Sequence, residues 1–127
     1  FRVKIANRYK NPFLVYSEAI IFMGYETFRR KSKDQLAKHI RTVAKNTSAV
    51  FLTEHVKTRM RQRKVGIQEV YACLQLGSIV REPEGNEDKG SLECRMERYV
   101  AGRHLGIIVA LCDEDPDVVV VTIYMVN

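Results

Sequence analysis

The sequence predicts an α+β fold in which helices pack on one face of an antiparallel sheet of about four strands, after an N-terminal helical extension. In the segments from about Ile21 to Gly77, apolar residues recur at intervals of three and four, which is typical of helices; from Ser78 onward they alternate with polar residues, which is typical of strands. Short turns join the last three alternating segments, and this favours an antiparallel meander. We therefore expect the sheet over residues 78–126, with the preceding helices packed on it.

Length and charge restrict the classes of protein to consider. The chain has 127 residues, enough for one core, and no apolar run approaches the roughly 18 residues that would span a membrane. Lysine and arginine number 21 against 15 acidic residues, giving a net charge of +6. Basic residues cluster in 29–33, 38–45 and 57–64, which favours a polyanionic partner such as nucleic acid over an evenly solvated surface. The three cysteines have no C-x-x-C spacing, so neither a disulfide framework nor a zinc site is indicated.

The first fifty residues form the basic N-terminal extension of this prediction. Alternation over residues 1–5 predicts a short strand. Residues 13–28 are apolar enough to contribute to a core, with a helical face as one interpretation and an extended start as the other. Ser32 and Gln35 have the spacing of a capping box, which predicts the start of a well-defined helix.

Two helices are predicted at the start of the second unit, residues 51–127. Thr53 can cap the first helix with its hydroxyl, and Glu54 lies in the first turn, where the helix dipole favours an anion. Gly66 is expected to end this helix, and Gly77 to end the next one as a residue just past its C-terminus.

Period-two spacing also predicts which residues of the strands share a face. Arg95, Glu97 and Tyr99 fall on one face of their strand, and Thr122 and Tyr124 fall on the face of the last strand that carries its even-numbered valines. The residues predicted to be buried are Met60, Val70, Leu74, Ile107, Val109, Val119 and Val121.

The residue types in these elements match the needs of RNA cleavage without a metal. That reaction needs a base for the 2′-hydroxyl, an acid for the leaving oxygen and cations for the phosphorane charge. His55, Arg59, Arg95, Glu97 and Tyr124 could supply these groups. The alternative is that the strand residues are only a solvated pair and a core tyrosine. The phosphate-binding, dinucleotide and metalloprotease motifs are missing from the sequence, so we expect no cofactor and no metal.

A helix with the pattern H-x-x-x-R-M-x-x-R, from His55 to Arg63, and a terminal T-x-Y strand carry a resemblance. The pattern resembles small bacterial domains grouped with the barnase, EndoU, colicin and RelE superfamily of metal-independent ribonuclease toxins, over about residues 51–127. The resemblance implies that His55 is the acid/base residue, that Arg59 is a cation for the phosphate, and that Thr122 and Tyr124 are their strand partners.

The combined prediction is a toxin endoribonuclease that cleaves intracellular RNA such as tRNA or mRNA. Arg63, Arg95 and Arg98 are expected to bind the substrate. The resemblance further implies action in the bacterial cytoplasm, neutralisation by a cognate antitoxin or immunity protein, and delivery from another cell, as the C-terminal part of a larger protein, as one route. The alternative function is a non-catalytic nucleic-acid-binding or protein-interaction module on the same fold.

Overall fold

The structure, a computed structural model, describes residues 5–10 and 24–126. Most of the predicted N-terminal strand and of the apolar segment 13–28 lies outside these residues, but Ile5 begins a helix rather than ending a strand. The helices are α1 (Ile5–Lys10), α2 (Glu26–Arg29), α3 (Lys33–Ala44), α4 (Glu54–Arg63) and α5 (Ile67–Leu76), with a 3₁₀ turn at Thr47–Ala49. The predicted capping box is confirmed, because the Ser32 and Gln35 side chains each bond the other's backbone N–H.

The strands form one mixed sheet, and the α+β class is confirmed. The strands are β1 (Val50–Leu52), β2 (Ser78–Ile79), β3 (Glu84–Asn86), β4 (Ser91–Val100), β5 (Arg103–Cys112) and β6 (Asp115–Met125). Their order within the described residues is β1-β6-β5-β4-β2, with β3 also paired to β4. The expected antiparallel sheet of about four strands is therefore wrong in number, and β1 runs parallel to β6. Strands of two or three residues are too short to leave an alternation that the sequence could reveal.

One face of the sheet packs against α3, α4 and α5 around a single core. Val70, Leu74, Ile107 and Val109 are fully buried there, as predicted, while Met60 is only half-buried. Leu36, Ala37, Ile40 and Ala44 of α3 belong to the same core. The basic N-terminal region thus contributes a helix to the fold of the sheet. No helix in the described part of the chain is long and apolar enough to cross a membrane.

Among the residues that the structure describes, α1 covers one end of the opposite face of the sheet. Ile5 packs with Ala110, Cys112 and Val119 in a small second cluster, and Val119 is buried as predicted. The Tyr9 hydroxyl donates a 2.8 Å hydrogen bond to the Glu93 carboxylate. The other half of this face carries the later residues of β4 and β6, and no described helix packs on it; this half is named the open face.

A β-bulge in β6 decides which residues reach the open face. Ile108 pairs with Thr122, and the next residue of β5 pairs with Val120, so Val121 has no partner across the strands. An unpaired residue shifts the alternation by one position. Thr122 and Tyr124 consequently lie on the face opposite Val118 and Val120. The prediction that these two residues share a face with the even-numbered valines is therefore wrong for Val118 and Val120. The bulge also leaves Val121 half-buried rather than buried.

The C-termini of α4 and α5 do not both have the glycine cap that the sequence predicts. Lys64, with a left-handed φ of 54°, caps α4, and Gly66 instead precedes the first residue of α5. Gly77 does end α5, but its φ of −77° is not left-handed. A Cβ at Gly77 would lie 2.9 Å from the carbonyl oxygen of Glu97, so close packing against β4 requires a glycine there. The three cysteines are free and buried, as expected of small apolar residues.

Candidate active site on the open sheet face

Alternation along β4 turns Arg95, Glu97 and Tyr99 to the open face, as predicted. Their neighbours Cys94 and Met96 are fully buried on the helix-covered side. Across the β4–β5 ladder, Tyr99 faces His104, and Glu97 faces Gly106. Charged and aromatic groups therefore meet on three adjacent strands.

The ring of Tyr124 lies across Gly106, its partner in the neighbouring strand. A Cβ built on Gly106 would approach the Tyr124 hydroxyl oxygen to 2.8 Å and a ring carbon to 2.6 Å, so only glycine leaves room for the ring. The guanidinium carbon of Arg95 is 5.7 Å from the ring centroid, within cation–π range. Tyr124 and Arg95, two of the residues predicted for the site, are thus in contact.

The Tyr124 hydroxyl is prepared to donate a hydrogen bond. Burial raises its pKa above the usual 10.0; the charge of Arg95 opposes this rise, and the charge of Glu97 adds to it. The hydroxyl oxygen is buried, and no group in the described residues has hydrogen-bonding geometry with it, although Arg95 is close enough to favour the phenolate. Since Arg95 is itself only a donor, a neutral Tyr124 phenol keeps its proton available for an anionic oxygen that enters the site.

Glu97 and His104 form the second pair of groups on this face. His104 Nε2 lies 3.1 Å from Glu97 Oε1; the carboxylate side chain is 9% exposed and the imidazole 37%. The ring of Tyr99 contacts His104 at a centroid distance of 6.1 Å and an angle of 80°. A carboxylate held against a partly exposed imidazole is a suitable pair for moving protons.

Thr122 shares this face with the cluster. Ile108 lies between Thr122 and Arg95 in the ladder, and all three side chains project to the same side. The structure therefore brings together Thr122, Tyr124 and Arg95 of the predicted site.

His55 and Arg59 occupy a different position, on α4 beside the edge of the sheet. The Thr53 hydroxyl, which accepts a 3.2 Å hydrogen bond from Val56 N, fixes the start of this helix. His55 is exposed and lines a cleft of about 360 Å³ with Tyr9, Lys10, Phe51, Leu52, Thr53, Glu54 and Lys57. Among the described side chains, no hydrogen bond, ion pair or ring contact joins His55 or Arg59 to the residues of the open face.

The other two predicted substrate-binding arginines lie elsewhere. Arg98 has the opposite parity to Arg95 along β4; it faces the helices and lines a cleft of about 220 Å³ that also includes Cys73 and Arg103. Arg63 is at the end of α4, where its carbonyl oxygen accepts a 3.1 Å hydrogen bond from Arg103. Neither arginine lies in the open-face cluster.

The sequence offered His104 only as an alternative to His55 for the acid/base role, alongside Glu97, and it did not place Gly106 in the site, although a signal was present. Ala101 and Gly102 both have positive φ, 52° and 78°, and they form the two-residue turn between Val100 and Arg103. A turn of this kind sets the register of both strands. Counting back from it pairs Tyr99 with His104 and Glu97 with Gly106.

The fold and the site together define a class: an α+β protein whose mixed sheet presents a carboxylate, an imidazole, a guanidinium and a phenol on an open face. Within the ranges described, no group of three or more His, Cys, Asp or Glu side chains could hold a metal ion. The chain belongs to the DUF4258 family, a domain of unknown function, which matches residues 52–125. This match runs from the last residue of β1 to the last residue of β6 and contains the whole open-face cluster. No curated protein and no solved structure matched the chain.

Proposed function

We propose that this protein is a metal-independent endoribonuclease whose active centre is the open sheet face. The observation that carries the proposal is the juxtaposition of the Glu97–His104 pair, 3.1 Å apart, with the Arg95–Tyr124 pair on the same surface. Cleavage of RNA by its own 2′-hydroxyl requires a proton acceptor, a proton donor and stabilisation of negative charge on phosphorus. All three requirements can be met by these four side chains.

In the proposed reaction, one member of the Glu97–His104 pair accepts the proton of the 2′-hydroxyl. The 2′-oxygen attacks phosphorus, and the bond to the 5′-oxygen breaks as the other member gives that oxygen a proton. The products are a 2′,3′-cyclic phosphate and a free 5′-hydroxyl. The Arg95 guanidinium and the buried Tyr124 hydroxyl would bind the phosphorane oxygens, where each good contact is worth on the order of 3 kcal/mol.

The resemblance noted in the sequence assigns the acid/base role to His55 and the cationic role to Arg59. Both assignments describe the same reaction, and they differ in which side chains accept and donate the proton. The contacts of His104 with Glu97 favour the open-face pair, because the His55 side chain is exposed and has no such carboxylate partner in the described structure. The resemblance makes Thr122 and Tyr124 the strand partners of the reacting phosphate, and this role fits the open-face assignment, because both residues lie on that face.

The biological setting follows from the same resemblance and is also a proposal. A barnase/RelE-like ribonuclease toxin of bacteria would act on RNA such as tRNA or mRNA in the cytoplasm. It would be held inactive by a cognate antitoxin or immunity protein. The net charge of +6 supports both partners, because RNA and an acidic inhibitor would be attracted by the same field.

The test is to incubate the purified protein with total RNA and with tRNA in the presence of EDTA. We expect cleavage with 2′,3′-cyclic phosphate ends. Glu97→Gln and His104→Ala should each abolish most of it, whereas His55→Ala should leave most of it. Loss of activity in His55→Ala alone would return the acid/base role to His55. If the wild-type protein cleaves nothing, the non-catalytic binding module becomes the better function.

A further inference from the structure

Tyr99 is an exposed aromatic residue next to the proposed catalytic pair. The residue is 68% exposed, although it lies in a regular strand and faces the same side as Glu97. The strand pairing with His104 and the edge contact between the two rings fix its position. Because the rings meet at 80°, the contact occupies at most one face of the tyrosine, and the exposure leaves the other face to solvent.

An isolated ring of this kind is suited to stacking rather than to apolar docking. Val100, the adjacent exposed apolar residue, is 44% exposed but lies on the helix-covered side, where it lines the cleft with Arg98. The two side chains therefore do not form one continuous apolar patch, which a protein partner would use. On the open face, the neighbours of Tyr99 are instead the polar His104 and Glu97.

We propose that Tyr99 is the stacking platform for an unpaired nucleobase, and hence that the substrate is single-stranded RNA. The inference rests on the proposed function, which makes RNA the ligand. Proteins bind single strands by stacking bases on exposed aromatic rings beside cationic groups, and bases in a duplex are not available for this. Tyr99 is two positions from Glu97 along the strand, a distance of roughly 7 Å, so the stacked base would belong to a nucleotide at or next to the cleaved bond.

The experiment measures binding separately from cleavage. Labelled eight-nucleotide RNA with 2′-O-methyl groups has no free 2′-hydroxyl to attack phosphorus, so it is bound without being cut. Fluorescence anisotropy gives its affinity, as a single strand and as a duplex, for the full chain and for the variants Tyr99→Leu and Tyr99→Phe. Val100→Ala is the matched control, because it removes exposed apolar surface from the next residue on the other face.

We expect Tyr99→Leu to weaken single-strand binding about tenfold and Tyr99→Phe to stay within about twofold of wild type. Duplex binding should be the same in both Tyr99 variants as in the wild type, and Val100→Ala should bind both forms as the wild type does. The slope of affinity against salt should not change in Tyr99→Leu, since stacking releases no counterions, whereas Arg95→Gln should reduce it by about one. A purely structural role for Tyr99 would not separate single strands from duplexes in this way.

The outcomes distinguish this inference from the proposed function. Wild-type affinity of Tyr99→Leu for the single strand, equal losses on single strand and duplex, or no binding of RNA by the wild type would overturn the stacking platform. If unmodified RNA is nevertheless cleaved, the ribonuclease proposal stands without it. If binding depends on Tyr99 as expected but no RNA is cleaved, the platform stands and catalysis is rejected.

Discussion

Gly106 lies beneath the ring of Tyr124, so the substitution Gly106→Ala tests how the candidate site is assembled. The added methyl carbon would lie 2.6 Å from one ring carbon and 2.8 Å from the hydroxyl oxygen, whereas ordinary contacts begin at 3.4 Å. The ring carbon that bears the hydroxyl would lie closer still, so the ring must retreat by about 1 Å. The clash is with a side chain and not with backbone, so the strand pairing itself can persist.

The size of the effect follows from two opposing contributions. Overpacking costs roughly 1–3 kcal/mol, and replacing glycine within a strand by alanine returns about 0.5–1 kcal/mol. The expected net loss of unfolding free energy is therefore roughly 0–2.5 kcal/mol. The rate should fall more sharply, on the order of 100-fold, because a shift of about 1 Å moves the Tyr124 hydroxyl away from the phosphate.

Chemical denaturation of a double-mutant cycle provides the assay. In a Tyr124→Ala background the ring is gone, so Gly106→Ala should become stabilising by about 0.5–1 kcal/mol, which implies a coupling of roughly 1–3 kcal/mol between the two positions. Equal destabilisation in both backgrounds would refute the steric argument. Cleavage at the wild-type rate by Gly106→Ala would show that the position of the tyrosine does not matter for catalysis.

Three further predictions concern the core, the pH dependence of stability and the charge. Leu74→Ala should lower the unfolding free energy by about 2–5 kcal/mol in urea, because Leu74 is fully buried; a much smaller loss would contradict the core assignment. Burial, and then the charge of Lys31, lowers the pKa of His39, so the unfolded chain binds its proton more readily. The stability that neutral His39 contributes is present above about pH 6.5 and is lost as the pH falls through the lowered folded-state pKa, and His39→Gln should flatten this decline in thermal unfolding. RNA affinity should fall steeply between low and physiological salt through counterion release; a flat response would remove nucleic acid as the partner.

Local sequence determined the element types and several of their ends. The Ser32–Gln35 capping box, the Thr53 cap and the change of apolar period near Gly77 each depend on residues close together in the chain. The two caps form because a side chain can reach the backbone N–H groups of the next turn, and the apolar period reflects the local geometry of a helix or a strand. The α+β class and the shared face of Arg95, Glu97 and Tyr99 were therefore predictable.

Only the tertiary structure decided which of these residues meet. The parallel pairing of β1 with β6 joins residues far apart in sequence, and α1 reaches the sheet through contacts such as Ile5 N to Asp115, 110 positions apart. The bulge at Val121 turns Thr122 and Tyr124 to the open face, and strict alternation cannot predict it, because it arises from pairing with β5. The cluster around Tyr124 forms because strand pairing places Gly106 beneath the tyrosine ring and brings the Arg95 guanidinium into contact with that ring. Register and partner choice are properties of long-range packing, and the proposed site depends on both.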